Sequence, residues 1–304
     1  MNVNTRRTLL CIDADDTMLN TRWQFIQAAI EENPDVDVEE LWNWHTLPLP
    51  EHALSPTVQN GMLSSGEFMA TTKPLPGAYL ALLALSEHYD IAIVTHRGYH
   101  PKGQERTVQC MRANFGPLMD SGFIKVYAIP TSVDKHSFCH SLCLPNDSTG
   151  VPAYDTYKLI DDNIPWNKYG DRATYGTLTF QGTELRKHIA RHSIVIDQPW
   201  NQHEGFHGLP RAHSLLHVAD CLCPPVTNER AVREIGRLLH PELAQETIDF
   251  RSFHDASYAR SQKSGNALMA IPSSGPMYVA HLLHRVPSEY DVHVRATRWR
   301  VTDV

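Results

Sequence analysis

Thr8-Leu9-Leu10-Cys11-Ile12-Asp13-Ala14-Asp15-Asp16-Thr17-Met18-Leu19-Asn20 decides how the rest of the chain is read. A short apolar run, Leu9 to Ile12, breaks off into three carboxylates and a threonine within five residues. An apolar run of this length between polar flanks reads as a strand of a parallel sheet, buried on both faces. In open α/β sheets, chemistry gathers just beyond the carboxyl ends of the strands. Asp13, Asp15 and Asp16 would stand there, close enough to repel one another. Such crowding spreads pKa values apart or draws in a cation. A hard divalent ion with oxygen ligands, Mg2+ first, meets that demand. A polar turn after a strand also favours Asp, but three acids in four positions behind a buried run exceed what a turn needs.

The bulk properties set the frame. A chain of 304 residues, 42% hydrophobic and 20% charged, has the composition of an ordinary soluble globular protein, with room for one large domain with additions or two modest ones. A formal net charge of -7 argues against coating nucleic acid or anionic membranes, but leaves room for one small phosphorylated molecule in a locally positive pocket. No apolar stretch approaches the roughly 20 residues of a membrane span. Arg6 and Arg7 precede too short an apolar run for a secretion signal. Six cysteines in a chain this long make no disulfide framework, so the reducing cytoplasm is the expected location.

Outward from the first strand, helices and strands alternate. Thr21 to Glu32 has a helical apolar period ending before Pro34, and residues 54–70 read as a further helical piece. Pro76-Gly77 opens a helix, Tyr89 to Val94 is a strand ending in Thr95-His96-Arg97, and residues 103–115 are helical. Phe123 to Ile129 reads as a third strand. An irregular stretch follows, then a fourth strand, Tyr157 to Ile160, ending in Asp161-Asp162. Leu185 to His192 reads as a helix and Ser193 to Ile196 as a strand. The expected fold is α/β, a doubly wound parallel sheet. Its core spans residues 1–204, with an aromatic-rich insertion at about 21–73 after the first strand. Residues 205–304 form an extension of open role, with an amphipathic helix at Asn228 to Leu239 and alternation at Tyr290 to Val301.

Four strand ends thus supply one set of chemical parts. Asp13 and Asp15 follow the first strand, Thr95 the second, Lys135 the third, and Asp161 and Asp162 the fourth. Carboxylates from two strand ends can clamp one Mg2+. One carboxylate can form an aspartyl-phosphate, a second acid can shuttle the proton, and a hydroxyl and an ammonium can hold phosphoryl oxygens.

This ordered set resembles the haloacid dehalogenase superfamily, with Asp13-Ala14-Asp15-Asp16-Thr17, Ile93-Val94-Thr95, Lys135 and Leu159-Ile160-Asp161-Asp162 as its four motifs. Within it the chain is similar to the 5'(3')-deoxyribonucleotidase family. Pro74-Leu75-Pro76-Gly77-Ala78, Leu159-Ile160-Asp161-Asp162-Asn163 and Ile196-Asp197-Gln198-Pro199-Trp200-Asn201 carry that narrower likeness, which covers about residues 8–203. The resemblance implies a Mg2+-dependent phosphomonoesterase acting on a nucleoside monophosphate, a 5'-deoxyribonucleotide. Asp13 would be the nucleophile and Asp15 the acid/base, with Thr95 and Lys135 holding phosphate. Asp161 would be the main second metal carboxylate with Asp162 beside it, and the metal would also take the Asp15 carbonyl. Lys125 and Lys158 rival Lys135. Asp16 stands where the family often has glycine and is expected to turn outward.

The insertion would form a small helical cap, with Trp23, Phe25, Trp42, Trp44 and Phe68 as candidates to stack on a base, although any one of them is better explained as cap core. His96 and Arg97 could reach phosphate or sugar. The expected partner is a small nucleotide, with no membrane and no stable nucleic-acid complex; a homo-oligomer stays open. Rival readings are a phosphatase of a sugar phosphate or a nucleic-acid end, and a non-catalytic nucleotide-binding or scaffold protein on the same fold. His136, Cys139, His140 and Cys143 lack the spacing of a usual zinc site, and the histidine pairs among His203, His207, His213 and His217 carry no H-E-x-x-H pattern.

Overall fold

β-rich apolar runs closed by Asp or Thr become the strands of one sheet in the structure, a computed structural model that describes residues 8–44, 47–120, 122, 124–145, 153–164, 172–175 and 177–223. The strands are β1 (Thr8–Ile12), β2 (Asp90–Thr95), β3 (Ile124–Ala128), β4 (Thr156–Asp161), β5 (Arg172–Tyr175), β6 (Leu178–Gln181), β7 (Ser193–Ile196) and β8 (Arg211–Ala212). Six of them form a sheet in the order β3-β2-β1-β4-β7-β8, with every neighbouring pair parallel. The chain builds outward from β1 to β3, then returns to the other side of β1 for β4, β7 and β8. This reversal places a crevice at the carboxyl ends of β1 and β4, where open α/β sheets bind ligands.

Both faces of the sheet are covered, which is why its strands are continuously apolar rather than alternating. Leu9, Cys11, Ala92, Val94, Leu159 and Val195 share one core cluster with Cys139, Cys143, Leu185 and Ile189. Those four sit on α7 (Lys135–Cys143) and α8 (Gly182–His192), which come after α1 (Thr21–Glu32), α2 (Val38–Asn43), α3 (Pro56–Ser65), α4 (Phe68–Thr71), α5 (Ala78–Ser86) and α6 (Gly103–Met119). Leu10, Ile12, Ile91 and Ile93, on the alternate positions, are equally buried; α5 packs against β2 and α6 against β3. The expected doubly wound α/β sheet is what the chain forms.

The 21–73 insertion folds as α1 to α4 around its own apolar cluster, which includes Phe25, Ile26, Ala29, Leu41, Leu54, Phe68 and Met69. Asp37 caps α2 through the amides of Glu39 and Glu40, and Ser55 with Pro56 starts α3. The expected single helical piece at 54–70 is two, because Gly66 turns left-handed at φ 62° and ends α3.

Three sequence expectations change. The stretch taken as irregular before Tyr157 contains α7, started by Asp134, whose side chain accepts from the Ser137 amide. Its Ser, His and Cys content is weak for a helix, and packing of Cys139 and Cys143 on the sheet supplies what propensity does not. An antiparallel hairpin, β5–β6, went unread. The sheet also runs beyond residue 204, since β8 at Arg211–Ala212 pairs with β7. The chain divides into two units, Met1–Leu215 and Leu216–Val304; of the second, residues up to 223 are described, in and just after α9 (Leu215–Leu222). The helix expected at Asn228 to Leu239 and the alternation at Tyr290 to Val301 lie outside the described residues. Among the described residues no helix is long and apolar enough to cross a membrane.

Candidate active site

Strand register assembles the acids. β1 and β4 pair Ile12 with Ile160, so the next residues, Asp13 and Asp161, stand side by side, and the Asp13 amide donates to the Ile160 carbonyl at 2.8 Å. Asp13, Asp161 and Asp162 each offer an oxygen within 4.8 Å of the others, and all three are buried. Among the described residues this is the one group of metal-ligating side chains that comes together.

Lys135 is the cation of the cluster. As the first residue of α7 it points its ammonium between the two strand ends, 2.8 Å from Asp13 Oδ1 and 2.7 Å from Asp161 Oδ2. Burial works against its charge, but the two carboxylates outweigh it and raise its pKa. Its rivals lie elsewhere: Lys125 is exposed on β3, and Lys158 donates to the Arg191 carbonyl.

One ammonium does not balance three carboxylates. Burial pushes the Asp13 carboxyl up to about 7, against the pull of Lys135 and with help from the charges of Asp161 and Asp15. Its Oδ1 is ion-paired with the Lys135 ammonium at 2.8 Å. Burial and then the neighbouring acids also raise Asp162 far above the usual carboxylate range. Three buried carboxyl groups with oxygens within 4.8 Å of one another, two of them pushed toward holding protons, are a hard oxygen donor set that fits Mg2+.

The two acids closing β4 differ in their partners. Asp161 Oδ2 takes Lys135, and its Oδ1 accepts from the Asn163 amide at 2.7 Å. Asp162 Oδ2 accepts from Trp200 Nε1 at 2.9 Å, and its Oδ1 from the Thr17 hydroxyl at 3.3 Å. The Asp197-Gln198-Pro199-Trp200-Asn201 stretch is therefore a brace between strand ends. Gln198 donates to the Asp16 carbonyl at 2.7 Å, Trp200 holds the Asp162 carboxylate, and Asn201 donates to the Asp162 carbonyl at 2.8 Å.

Asp15 faces the other way, toward the cap. Its Oδ1 accepts from Arg97 Nη2 at 2.6 Å and from the Thr21 hydroxyl at 2.5 Å. Its Oδ2 accepts from Arg97 Nε at 3.0 Å and from the Thr95 hydroxyl at 3.2 Å. Burial opposes its charge, but Arg97 and these hydroxyls together hold the carboxyl below its ordinary range. In this state the single hydroxyl proton of Thr95 goes to Asp15.

Several expected substrate contacts have other partners. Arg97 is 1% exposed, so it does not face a substrate. His96 Nε2 meets the Val133 carbonyl at 2.9 Å. Phe68 stacks edge-on against Phe25 inside the cap, and Trp42 and Trp44 pack on the same cluster. Trp23 is the exposed member of the set, at 36%. Asp16 does not turn outward. It is buried at φ 54°, the left-handed backbone that suits glycine and that Asp tolerates, and its Oδ1 accepts from the Arg22 amide at 2.8 Å. Burial raises it to about 6.

Sequence reasoning passed over two side chains. Arg22 is a buried cap cation whose guanidinium lies 3.8 Å from the Trp200 ring centroid and donates to the Trp44 carbonyl at 2.6 Å. Nothing in the periodicity of α1 distinguishes it. Tyr99, two residues past Arg97, is 45% exposed. Burial and the charge of Asp15 push its phenol up to about 12, so it remains a hydroxyl donor beside the site; an exposed aromatic in the loop after β2 was its signal. The zinc candidates on α7 face separate partners, with His136 between the Tyr157 hydroxyl at 3.0 Å and the Ser193 hydroxyl at 3.1 Å.

No protein-family model matches the chain, and no curated protein does either. Solved structures do. A haloacid dehalogenase-like hydrolase family protein, SP0104 from Streptococcus pneumoniae, is similar at 14% identity and TM-score 0.42, over 71% of this chain and 98% of its own. L-2-haloacid dehalogenase from Xanthobacter autotrophicus, with chloropropionic acid covalently bound, is similar at 13% identity and TM-score 0.40, over 71% and 98%. A putative β-phosphoglucomutase from Thermotoga maritima is similar at 13% identity and TM-score 0.38, over 71% and 98%.

Proposed function

We propose that the protein is a hydrolase working through Asp13, namely a Mg2+-dependent phosphomonoesterase for a nucleoside monophosphate. The observation that carries this reading is the convergence of Asp13, Asp161 and Asp162, three buried carboxyl groups at two strand ends, around a single ammonium that pairs Asp13 with Asp161. The nucleotide, and the 5'-deoxyribonucleotide in particular, rests on the sequence resemblance, because the cap aromatics other than Trp23 are largely engaged in packing.

Asp13, Asp161 and Asp162 would hold the ion, which supplies charge neutralisation to a phosphoryl group. An Asp13 oxygen attacks phosphorus, forming the phosphorus–oxygen bond of an aspartyl-phosphate as the bond to the leaving oxygen breaks. Asp15 is ionised in this state because, against burial, Arg97 and the hydroxyls hold it below its ordinary range. It takes up a proton from solvent as the substrate's negative charge enters and then gives it to that leaving oxygen. The resulting Asp15 carboxylate then takes a proton from water as the water oxygen bonds to phosphorus, releasing phosphate and restoring Asp13. Lys135, and Thr95 once its hydroxyl turns from Asp15, hold the remaining phosphoryl oxygens.

The test is phosphate release from deoxynucleoside and ribonucleoside monophosphates, sugar phosphates and a 5'-phosphorylated oligonucleotide. Turnover should be highest on a deoxynucleotide and should disappear reversibly with a chelator. Asp13→Asn should cut it by roughly 10^4-fold or more with an unchanged circular dichroism spectrum. Retained turnover in that variant sinks the mechanism, preference for another ester redirects the substrate, and no release from any of them favours a binding protein.

A further inference from the structure

Arg97 was expected to reach substrate, and its surroundings give it other work. Its guanidinium has five N–H bonds in a fixed planar fork, and the partners come from three parts of the chain. Nε and Nη2 grip both oxygens of Asp15. Nη1 donates to the Met69 carbonyl on α4 at 2.7 Å, and Nη2 also lies 3.4 Å from the Thr21 hydroxyl at the start of α1. Gly103 backs the assembly, because a Cβ there would stand 1.9 Å from the Arg97 carbonyl oxygen. The Arg97 side chain is 2% exposed, while that of Asp15 is 30% exposed. The arginine is thus sealed in, and the carboxylate it grips still meets the outside.

We propose that Arg97 is a positioning residue: it holds the Asp15 carboxylate from behind, anchored to the cap through Met69 and Thr21, so that Asp15 is fixed to take the proton of the water that releases the phosphoryl group from Asp13. Among the described residues, the donors aimed at Asp15 come from Arg97, Thr21 and Thr95. A carboxylate held this way keeps one orientation, and geometry is the first requirement of a general base. Two of its three sources of support, Arg97 through Met69 and Thr21 directly, are tied to the cap, so the cap's seat and the base's aim are one arrangement.

The proposal rests on the phosphomonoesterase reading, and the experiment separates their failures. p-Nitrophenyl phosphate with Mg2+ is the probe, because its leaving group needs little help from an acid and isolates the second half of the reaction. Wild type, Arg97→Met, Arg97→Lys, Thr21→Val and Asp15→Asn are followed by stopped flow for the nitrophenol burst and the steady rate after it. Intact-mass spectrometry reads the phosphorylated chain. In Arg97→Met the burst should persist while the steady rate per burst site falls about 10^2-fold, with phospho-enzyme accumulating as in Asp15→Asn. Arg97→Lys should recover part of the rate, since an ammonium keeps the charge without the fork. Thr21→Val, which keeps shape and removes one hydroxyl, should lower the same ratio several-fold, and Arg97→Lys, which keeps the charge and removes the fork, decides the matter if Arg97→Met fails to fold. Burst and steady rate falling together, or an unchanged ratio in the folded variants, overturns the positioning role. No nitrophenol release from wild type overturns the phosphomonoesterase reading itself.

Discussion

The molecule holds two polar clusters, one buried and one mostly half-buried, and they handle charge differently. At the carboxyl ends of β1 and β4, three carboxylates share one ammonium. Beneath α7 and α8, His136, His140, His188 and His192 pack among Tyr157, Tyr175 and Phe180. Burial lowers His140, His188 and His192, so these rings stay neutral near pH 7. The first cluster keeps an ion pair inside the protein, Lys135 with Asp161 and Asp13, beside acids that burial drives to hold protons; the second keeps its rings neutral. Buried carboxyls in that state are groups that a bound cation would return to the charged form, and the proposed Mg2+ would act there. The collection of rings, whose His136 and His140 lack the spacing of a usual zinc site in the sequence, is packing.

Removing Lys135 breaks this contrast hardest. Lys135→Met leaves Asp13 and Asp161 without their cation and should destabilise the protein by about 3–5 kcal/mol. Urea unfolding with and without Mg2+ measures it, and the ion should restore part of the loss because it binds the folded state. A variant as stable as wild type without metal would mean the acids balance themselves, and the contrast would vanish.

Trp200→Phe sharpens it. The ring and its contact with Arg22 remain, while the Nε1 bond to Asp162 is lost. Partners that orient a ligating carboxylate are worth about 10- to 100-fold in metal affinity, so the Mg2+ concentration for half-maximal stabilisation should rise about tenfold. An unchanged midpoint would remove Asp162 from the metal set.

How much of this the sequence disclosed follows from the range of each interaction. Asp13 and Asp161 are legible because each closes an apolar run, and parallel register brings such ends together without further information. Lys135 is legible only as an ammonium in the right interval; what aims it is Asp134 starting α7, a helix too poor in helix formers to announce itself. Trp42, Trp44 and Phe68 are legible as aromatics of a cap, candidates to stack on a base or to form its core, and they pack in or against the cap cluster. The enclosure of Arg97 is not legible, because its position after Thr95 points to the pocket, and only the cap's return through Met69 and Thr21 encloses it. Asp16 shows the same limit. It stands where the family often has glycine and was expected to turn outward; the backbone is left-handed at φ 54°, and the partner that draws its side chain inward is the amide of Arg22, across the start of the cap.

The histidine cluster yields the smallest effect and tests the other half of the comparison. Burial first, then the neighbouring His192, His140 and Arg191, lower His188 to about 4, and its Nε2 is buried with no hydrogen-bond partner. An unfolded histidine titrates near 6.5, so between these values the unfolded chain binds the proton that the folded chain refuses. Stability is therefore full above about pH 6.5 and declines as pH falls toward 4. After discounting for partial exposure, the loss from pH 7 to pH 5 should be about 1 kcal/mol. His188→Phe, which keeps a flat ring against Phe180 and Tyr175, should flatten that slope in paired urea titrations. An equal slope in both proteins would mean that the ring is already charged or hydrated in the fold, and the two clusters would then differ in composition but not in how they treat charge.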